Sequence, residues 1–215
     1  MSISNKLPDM RLDYGKDQLD ESMVESNPFQ QFENWFKQAD EGEVKEANAM
    51  ILATVSGGRP SQRVVLLKGF GEEGLYFYTN YESRKGKELA ENPHAAVTFF
   101  WDSMERQIRI EGKVEKASAE NSETYFQQRG RGSRIGAWAS PQSQEIADRS
   151  ILEERVKAFE EKFSGEERFP RPEYWGGYKL VPDYFEFWQG RKSRLHDRIM
   201  YKKEGGSWKL GRLAP

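Results

Sequence analysis

Residues 49–79, AMILATVSGGRPSQRVVLLKGFGEEGLYFYT, decide what kind of fold this chain adopts. Ala49–Ser56 (AMILATVS) is apolar and rich in β-formers, and Gly57-Gly58 follows as a turn. Ser61–Gly69 (SQRVVLLKG) is predicted to return as a second strand, and a further glycine-rich turn leads into a third at Leu75–Thr79 (LYFYT). Upstream, Asn27-Pro28 has the form of an N-cap followed by proline in the first helical turn, and Phe29, Phe32, Phe36 and Ala39 recur at helical spacing. An amphipathic helix over 28–40 follows. Downstream, Ser83 can cap a short helix over 84–91 that Asn92-Pro93 stops. Strands are expected over Ala95–Trp101 and Arg106–Lys116, and helices over Ser118–Gln128 and Gln144–Phe163, with Gly130–Ser143 an irregular connector. Tyr178–Trp188 and Ser193–Lys202 are expected to pair across a Gln-Gly turn, and Ser207–Leu213 makes a last short strand. Six or more meandering strands with helices set between them predict an α+β chain: a mainly antiparallel barrel with flanking helices.

The 215-residue length fits one domain, over 27–215, preceded by a polar stretch of mixed charge at 1–26. Hydrophobic residues make up 36% and aromatic residues 13%, enough for a core built on Phe, Tyr and Trp. The formal charge of −2 argues against a nucleic-acid partner, so any anion site must come from local clustering. Such clustering exists: between Arg191 and Lys203 six basic residues face one acid. The chain has no cysteine and two histidines, His94 and His196, which removes thiolate chemistry and leaves no metal site expected. The sequence offers no apolar run of membrane-spanning length and no signal-peptide core, so a cytoplasmic protein is expected.

Six groups of residues could carry chemistry, four of them with a structural alternative. Arg63–Lys68 (RVVLLK) places two cations in a buried-looking strand; five apart, a regular strand sends them to opposite faces. They either snorkel or serve a site that straddles the strand. Tyr78-Thr79 ends a strand just before Ser83-Arg84-Lys85 opens a helix, a pattern that suits phosphate as well as plain capping. Gln107 and Arg109 share a face, and Gln107 could read the amide-like edge of a flavin or a base. Tyr125, Arg129 and Ser133, four apart, could converge on one small anion or be a helix end with its loop. Gln142-Ser143 adds two hydrogen-bonding side chains. In Trp188–Tyr201 (WQGRKSRLHDRIMY) an extended chain puts Arg194, His196 and Arg198 on one face. That face is either an anion-binding surface or a solvated edge. Glycine-rich dinucleotide and phosphate loops, a nucleophile elbow and a carboxylate pair are all missing.

Taken together, RVVLLK (63–68), YTNYESRKGKELAENP (78–93), RGSRIGAWAS (131–140) and GRKSRLHDRI (190–199) resemble the pyridoxamine 5′-phosphate oxidase family, in the right order and over nearly the whole chain. The resemblance implies a split β-barrel homodimer with FMN at the subunit interface. It implies oxidation of pyridoxamine or pyridoxine 5′-phosphate to pyridoxal 5′-phosphate, with O2 reduced to H2O2. Arg63, Val64, Val65, Leu66, Leu67, Lys68, Tyr78, Thr79, Arg84, Lys85, Gln107, Gln142, Ser143, Trp188 and Arg198 match the family's FMN-contacting positions. Lys68, Tyr125, Arg129 and Ser133 match those holding the substrate phosphate. Arg194 and His196 match those over the substrate ring, where catalysis is expected. Arg11 and Tyr14 match a mobile N-terminal segment that covers the substrate, so 1–26 is expected to act as a lid. Gly130 departs from the pattern, which has proline after the matching arginine. Two rivals share part of these features, a split-barrel FMN reductase using a nicotinamide donor and a non-catalytic carrier of FMN or pyridoxal phosphate. Neither gives a reason to keep the phosphate residues, Arg194, His196 and the N-terminal patch together.

Overall fold

In the computed structural model, which describes residues 3–10, 12–42 and 44–215, nine strands and five α-helices form an α+β fold. The strands are β1 (Ala49–Ser56), β2 (Arg59–Leu66), β3 (Gly69–Gly71), β4 (Gly74–Asn80), β5 (His94–Trp101), β6 (Arg106–Lys116), β7 (Trp175–Gln189), β8 (Asp197–Glu204) and β9 (Ser207–Arg212). The helices are α1 (Pro28–Glu41), α2 (Arg84–Glu91), α3 (Ala119–Gln128), α4 (Arg131–Ala139) and α5 (Ser150–Lys162). The sheet runs in the order β2-β1-β5-β6-β7-β4-β3, with β8 on β7 and β9 on β8. The β1–β2, β3–β4, β4–β7, β7–β8 and β8–β9 pairs are antiparallel. Among the described residues no helix is long and apolar enough to cross a membrane.

The chain divides into two compact units. The first comprises 1–47, 98–110 and 183–215. Its core is the apolar face of α1, where Asn27 Oδ1 accepts from Phe29 N–H at 2.9 Å and starts the helix. Phe29, Phe32 and Trp35 lie edge-on or tilted against Phe185, Phe99 and Phe187 with ring centroids 5.2–5.3 Å apart. The second comprises 48–97 and 111–182. Phe126, Ile135, Ala137, Phe163, Phe169 and Trp175 form a buried cluster in it, fed by α3, α4 and the end of α5.

The β1–β2 hairpin turns on two glycines, both at positive φ (54° and 73°), which only glycine adopts without cost and which match the twist of the flanking strands. Its register opposes Ser56 to Arg59, so β2 begins two residues before the expected Ser61. It also ends early. Leu67 N–H bonds to Asn48 O at 2.8 Å, while Lys68 N–H bonds to Tyr76 O at 2.8 Å, so the chain crosses from β1 to β4 at this point.

Three more expectations need correction. The 130–143 connector contains α4, whose glycines at 132 and 136 mask a helix stabilised by burial of Ile135, Ala137 and Ala139. The helix expected from Gln144 begins at Ser150, where Asp148 Oδ1 accepts from Ser150 N–H at 2.7 Å; a residue with positive φ, Ser143, lies just upstream. The charged strand expected over 193–202 is a loop through 192–194, followed by β8 from Asp197. Arg194 and His196 therefore do not share a strand face with Arg198, and the alternation argument fails there. Ser193 and Arg194 both have positive φ (56° and 61°), which breaks an extended chain.

Gly112 in β6 lies directly against the backbone of β7. An added Cβ would collide with Val181 O and come within 2.8 Å of Pro182 Cα. Replacement by alanine is expected to cost about 1–3 kcal/mol of stability through overpacking, read as a lower urea midpoint at unchanged slope.

Candidate functional site

The second unit carries a cavity of about 680 Å³ lined by Arg63, Val64, Val65, Leu66, Lys68, Tyr78, Thr79, Lys85, Tyr125, Arg129, Gly130, Ser133, Gln142 and Trp175. Residues from five separate stretches converge on it. The crossing at Leu67-Lys68 resolves the parity problem, since β2 stops at Leu66 and Arg63 and Lys68 can line one hollow. Four of its residues are cations, and the geometry shows how three of them, Arg63, Lys85 and Arg129, are held.

Arg63 reaches Glu88 Oε2 at 2.9 Å and donates to Thr54 Oγ1 at 2.5 Å and Ser61 Oγ at 2.6 Å. Glu88 is 7% exposed on α2 and also accepts from Thr54 Oγ1, Ser61 Oγ and Arg84 Nε. Burial alone would raise its pKa, but the hydrogen bonds from Thr54, Ser61, Arg84 and Arg63 outweigh that and hold it at about 2. Lys85 donates from Nζ to Thr79 Oγ1 (3.1 Å) and Gln142 Oε1 (3.3 Å), and Thr79 donates to the same Gln142 oxygen at 3.0 Å. Burial and then the Arg63 charge lower the Lys85 pKa, against a smaller opposing pull from Glu88. Ser83, the α2 cap, accepts from Gly86 N–H.

Arg129 stands over the Trp175 ring, its guanidinium carbon 4.6 Å from the centroid. Its Nη1 is buried without a hydrogen-bond partner among the described residues, and burial lowers its pKa despite Tyr125. An unmatched guanidinium nitrogen on a cavity wall is free to donate to an anion. Tyr78 and Tyr125 stack at 3.9 Å beside it, Trp175 nearly parallel to both. Burial raises both tyrosine pKa values, so each phenol keeps its proton and can donate. Leu67 is buried in the core and does not line the cavity. Arg84 and Ser143 line a different hollow of about 420 Å³ in the same unit.

In the first unit a hollow of about 480 Å³ is lined by Tyr14, Arg191, Ser193, Arg194 and His196, with Met10, Leu12 and Asp13. Tyr14, Trp188 and His196 form an aromatic group: Trp188 to His196 centroids are 4.6 Å apart, Tyr14 to Trp188 5.7 Å and Tyr14 to His196 5.8 Å. His196 Nδ1 accepts from Arg191 N–H at 3.1 Å, so the neutral ring carries its proton on Nε2. Burial and then Arg194 lower its pKa, Asp197 opposing, which favours that neutral form. Arg198 in β8 is tied to Glu186 at 2.9 Å, and Glu186, 2% exposed, also meets Arg109 at 3.2 Å. Gln107 is half-buried on β6. Arg11 lies outside the described residues.

Glu88, Glu186 and Trp175 were not expected. The carboxylates sit at i,i+4 from Arg84 and beside a strand aromatic, where sequence alone reads as ordinary surface pairing; Trp175 has no charged signature at all.

A family model described as "Pyridoxamine 5'-phosphate oxidase" matches residues 36–163, and one described as "Pyridoxine 5'-phosphate oxidase C-terminal dimerisation region" matches 175–215. The chain belongs to the pyridoxamine 5′-phosphate oxidase family. A pyridoxine/pyridoxamine 5′-phosphate oxidase of Paraburkholderia phymatum is 54% identical over 211 residues, 97% of this chain and 99% of that protein. One of Burkholderia pseudomallei is 54% identical over 213 residues, with the same coverage. Among solved structures, PhzG from Burkholderia lata 383, in complex with tetrahydrophenazine-1-carboxylic acid, has a TM-score of 0.86 at 31% identity, covering 93% of this chain and 98% of its own. A pyridoxamine 5′-phosphate oxidase-related, FMN-binding protein from Nostoc punctiforme shares the fold at a TM-score of 0.69 and 18% identity, covering 89% of this chain and 100% of its own. The α+β fold is thus that of the FMN-binding split barrels.

Because the Glu88 pKa is depressed, its ionised form stabilises the fold fully above about 4.5, and that contribution is lost as pH falls towards 2. Glu88→Gln is expected to lower stability by about 1–3 kcal/mol at pH 7, by leaving buried donors poorly matched. Urea titrations should show the gap between the two proteins closing as the pH is lowered from 5 to 3.

Proposed function

We propose that this chain is an FMN-dependent oxidase acting on pyridoxamine 5′-phosphate or pyridoxine 5′-phosphate, and that it works as a homodimer. The observation that carries the reading is the unpartnered Arg129 nitrogen, on the same cavity wall as Lys68, Tyr125 and Ser133. These four groups offer a phosphate dianion two cations and two hydroxyl donors. The match of the C-terminal dimerisation region supports the dimer.

The residues present fit FMN. Lys85 brings to the cavity a positive charge held by hydroxyl and amide oxygens, beside the Glu88-paired Arg63, and its lowered pKa would be relieved by an anion such as the flavin phosphate. Arg63, Val64, Val65, Leu66, Lys68, Tyr78, Thr79, Lys85 and Gln142, which line this cavity, would hold it; for Leu67, Arg84, Gln107, Ser143, Trp188 and Arg198 the family resemblance alone supports a contact. When bound, FMN supplies the redox chemistry, accepting a hydride equivalent from substrate C4′ and delivering two electrons to O2 to give H2O2.

The protein's own part is orientation and charge. Lys68, Tyr125, Arg129 and Ser133 hold the substrate phosphate and so fix the lever from which the pyridine ring is aimed. His196, neutral and protonated on Nε2, donates towards the substrate ring. Arg194 supplies a fixed positive charge from a loop in which two consecutive non-glycine residues sit at positive φ, each costing on the order of 1 kcal/mol. A strained loop that presents a guanidinium is what a positioning role requires. Tyr14, beside Trp188 and His196, would cover the substrate.

The test is the visible spectrum of the purified protein before and after anaerobic addition of pyridoxine 5′-phosphate. Flavin bands that bleach, then return in air as pyridoxal 5′-phosphate forms, are the expected outcome. Bands that persist with this substrate but bleach with a reduced phenazine carboxylate would move the assignment towards the chemistry of PhzG. Absence of any flavin after incubation with FMN would defeat it.

Two substitutions test the two hollows separately. Arg129→Ala is expected to raise KM roughly tenfold to a hundredfold through lost charge-assisted hydrogen bonds. Arg194→Ala is expected to lower kcat by about a hundredfold while the protein still purifies yellow. A colourless Arg194 variant would mean that the residue holds cofactor instead.

A further inference from the structure

Glu105 is 8% exposed and adopts a left-handed backbone (φ 55°), unusual for a glutamate inside a compact unit. The backbone caps the 3-10 turn Asp102–Met104, with Glu105 N–H donating to Asp102 O at 3.0 Å, and the side chain is committed elsewhere. Oε2 accepts from two consecutive backbone amides of the N-terminal stretch, Gly15 N–H at 2.7 Å and Lys16 N–H at 3.0 Å. Its carbonyl accepts from Gly190 N–H at 2.8 Å. Gly190 in turn has no room for a side chain: a Cβ there would lie 2.8 Å from both Cβ and Cγ of Tyr14 and 3.0 Å from Cβ of Glu105. The next residue, Arg106, continues the fastening by pairing with Asp17 at 2.7 Å while stacked 4.4 Å from the Trp35 centroid. Tyr14 is thereby seated edge-on to Trp188 and against His196.

The geometry points to Glu105 as a positioning residue for Tyr14. Its carboxylate clamps the two amides that follow Tyr14, and its backbone aligns Gly190 as the flat floor on which the ring sits. The consequence is that the N-terminal stretch is fastened at 15–17, immediately after Tyr14, so that the Tyr14 ring is held against Trp188 and His196. Substrate affinity then depends on a residue that touches no substrate. This last step rests on the oxidase reading through the role of Tyr14 in covering substrate; the clamp itself does not.

Two measurements on the FMN-loaded, full-length protein test the proposal. The first is amide hydrogen exchange of Gly15 and Lys16 without substrate; the second is the KM and kcat for pyridoxine 5′-phosphate. Glu105→Ala removes both acceptors and is expected to speed exchange at the two amides and raise KM about tenfold, with kcat within about twofold and flavin content unchanged. Glu105→Gln keeps one acceptor oxygen and should restore most of the protection and most of the affinity. Gly190→Ala crowds Tyr14 and the Cβ of Glu105 from the other side while keeping the carboxylate as an acceptor, and should raise KM in the same way. Unchanged exchange in Glu105→Ala would overturn the clamp. Faster exchange with unchanged KM in both alanine variants would overturn the positioning role. Absence of turnover by the parent protein would instead strike the oxidase reading and remove the substrate half of the proposal, leaving the exchange result to decide the clamp.

Discussion

Partly matched positive charge in a single cavity is the constraint around which the second unit is arranged. Arg63, Lys68, Lys85 and Arg129 line the same hollow in a chain whose net charge is −2. Crowding cations out of water is unfavourable unless each finds a partner or an aromatic face. Arg63 finds Glu88, Lys85 finds only neutral oxygens, and Arg129 finds the face of Trp175 with one nitrogen left over. The order of decreasing satisfaction is also a map of where an incoming anion is most needed. Under the proposed function an anion bound there would repair a deficit already present in the fold, and that deficit would be the source of its affinity.

Each unit meets its charge problem with one buried carboxylate. Glu88 gathers Arg63 and Arg84 with two hydroxyls in the second unit, and Glu186 gathers Arg198 and Arg109 in the first. A carboxylate that accepts from several donors restricts the rotamers of long arginine side chains, which would otherwise lose considerable entropy on binding a ligand. Order is thus set in advance by residues that never need to touch the ligand.

The sequence made the meander, α1 and α2 legible because each rests on local signals: glycines in a two-residue turn, and Asn27 and Ser83 at caps; that Lys68, Tyr125, Arg129 and Ser133 belong together came from the family resemblance, and the four do line one cavity. It failed where tertiary packing overrides local preference. Gly132 and Gly136 hide α4, which exists because Ile135 and Ala139 are buried. Alternation was projected through 193–202, yet left-handed Ser193 and Arg194 break the strand, and no residue type at those positions announces that conformation. The apparent parity conflict between Arg63 and Lys68 vanished for the same reason, because β2 stops where the chain changes partner. Glu88, Glu186 and Glu105 were invisible because a buried acceptor and a surface glutamate look alike in one dimension.

The first unit is assembled from three distant stretches of chain, 1–47, 98–110 and 183–215. During synthesis α1 emerges early, but the strand aromatics that cover Phe29 and Trp35, namely Phe185 and Phe187, emerge near the end. The same holds for the ties of Glu21 to Arg212 and of Glu25 to Tyr201, which span 191 and 176 residues. The nascent helix therefore carries an uncovered apolar stripe for most of translation, while the second unit already has what it needs by residue 182. Completion of the first unit is the late, long-range closure in this chain, and it is the stage at which an unfinished molecule is most exposed to chaperones and to aggregation.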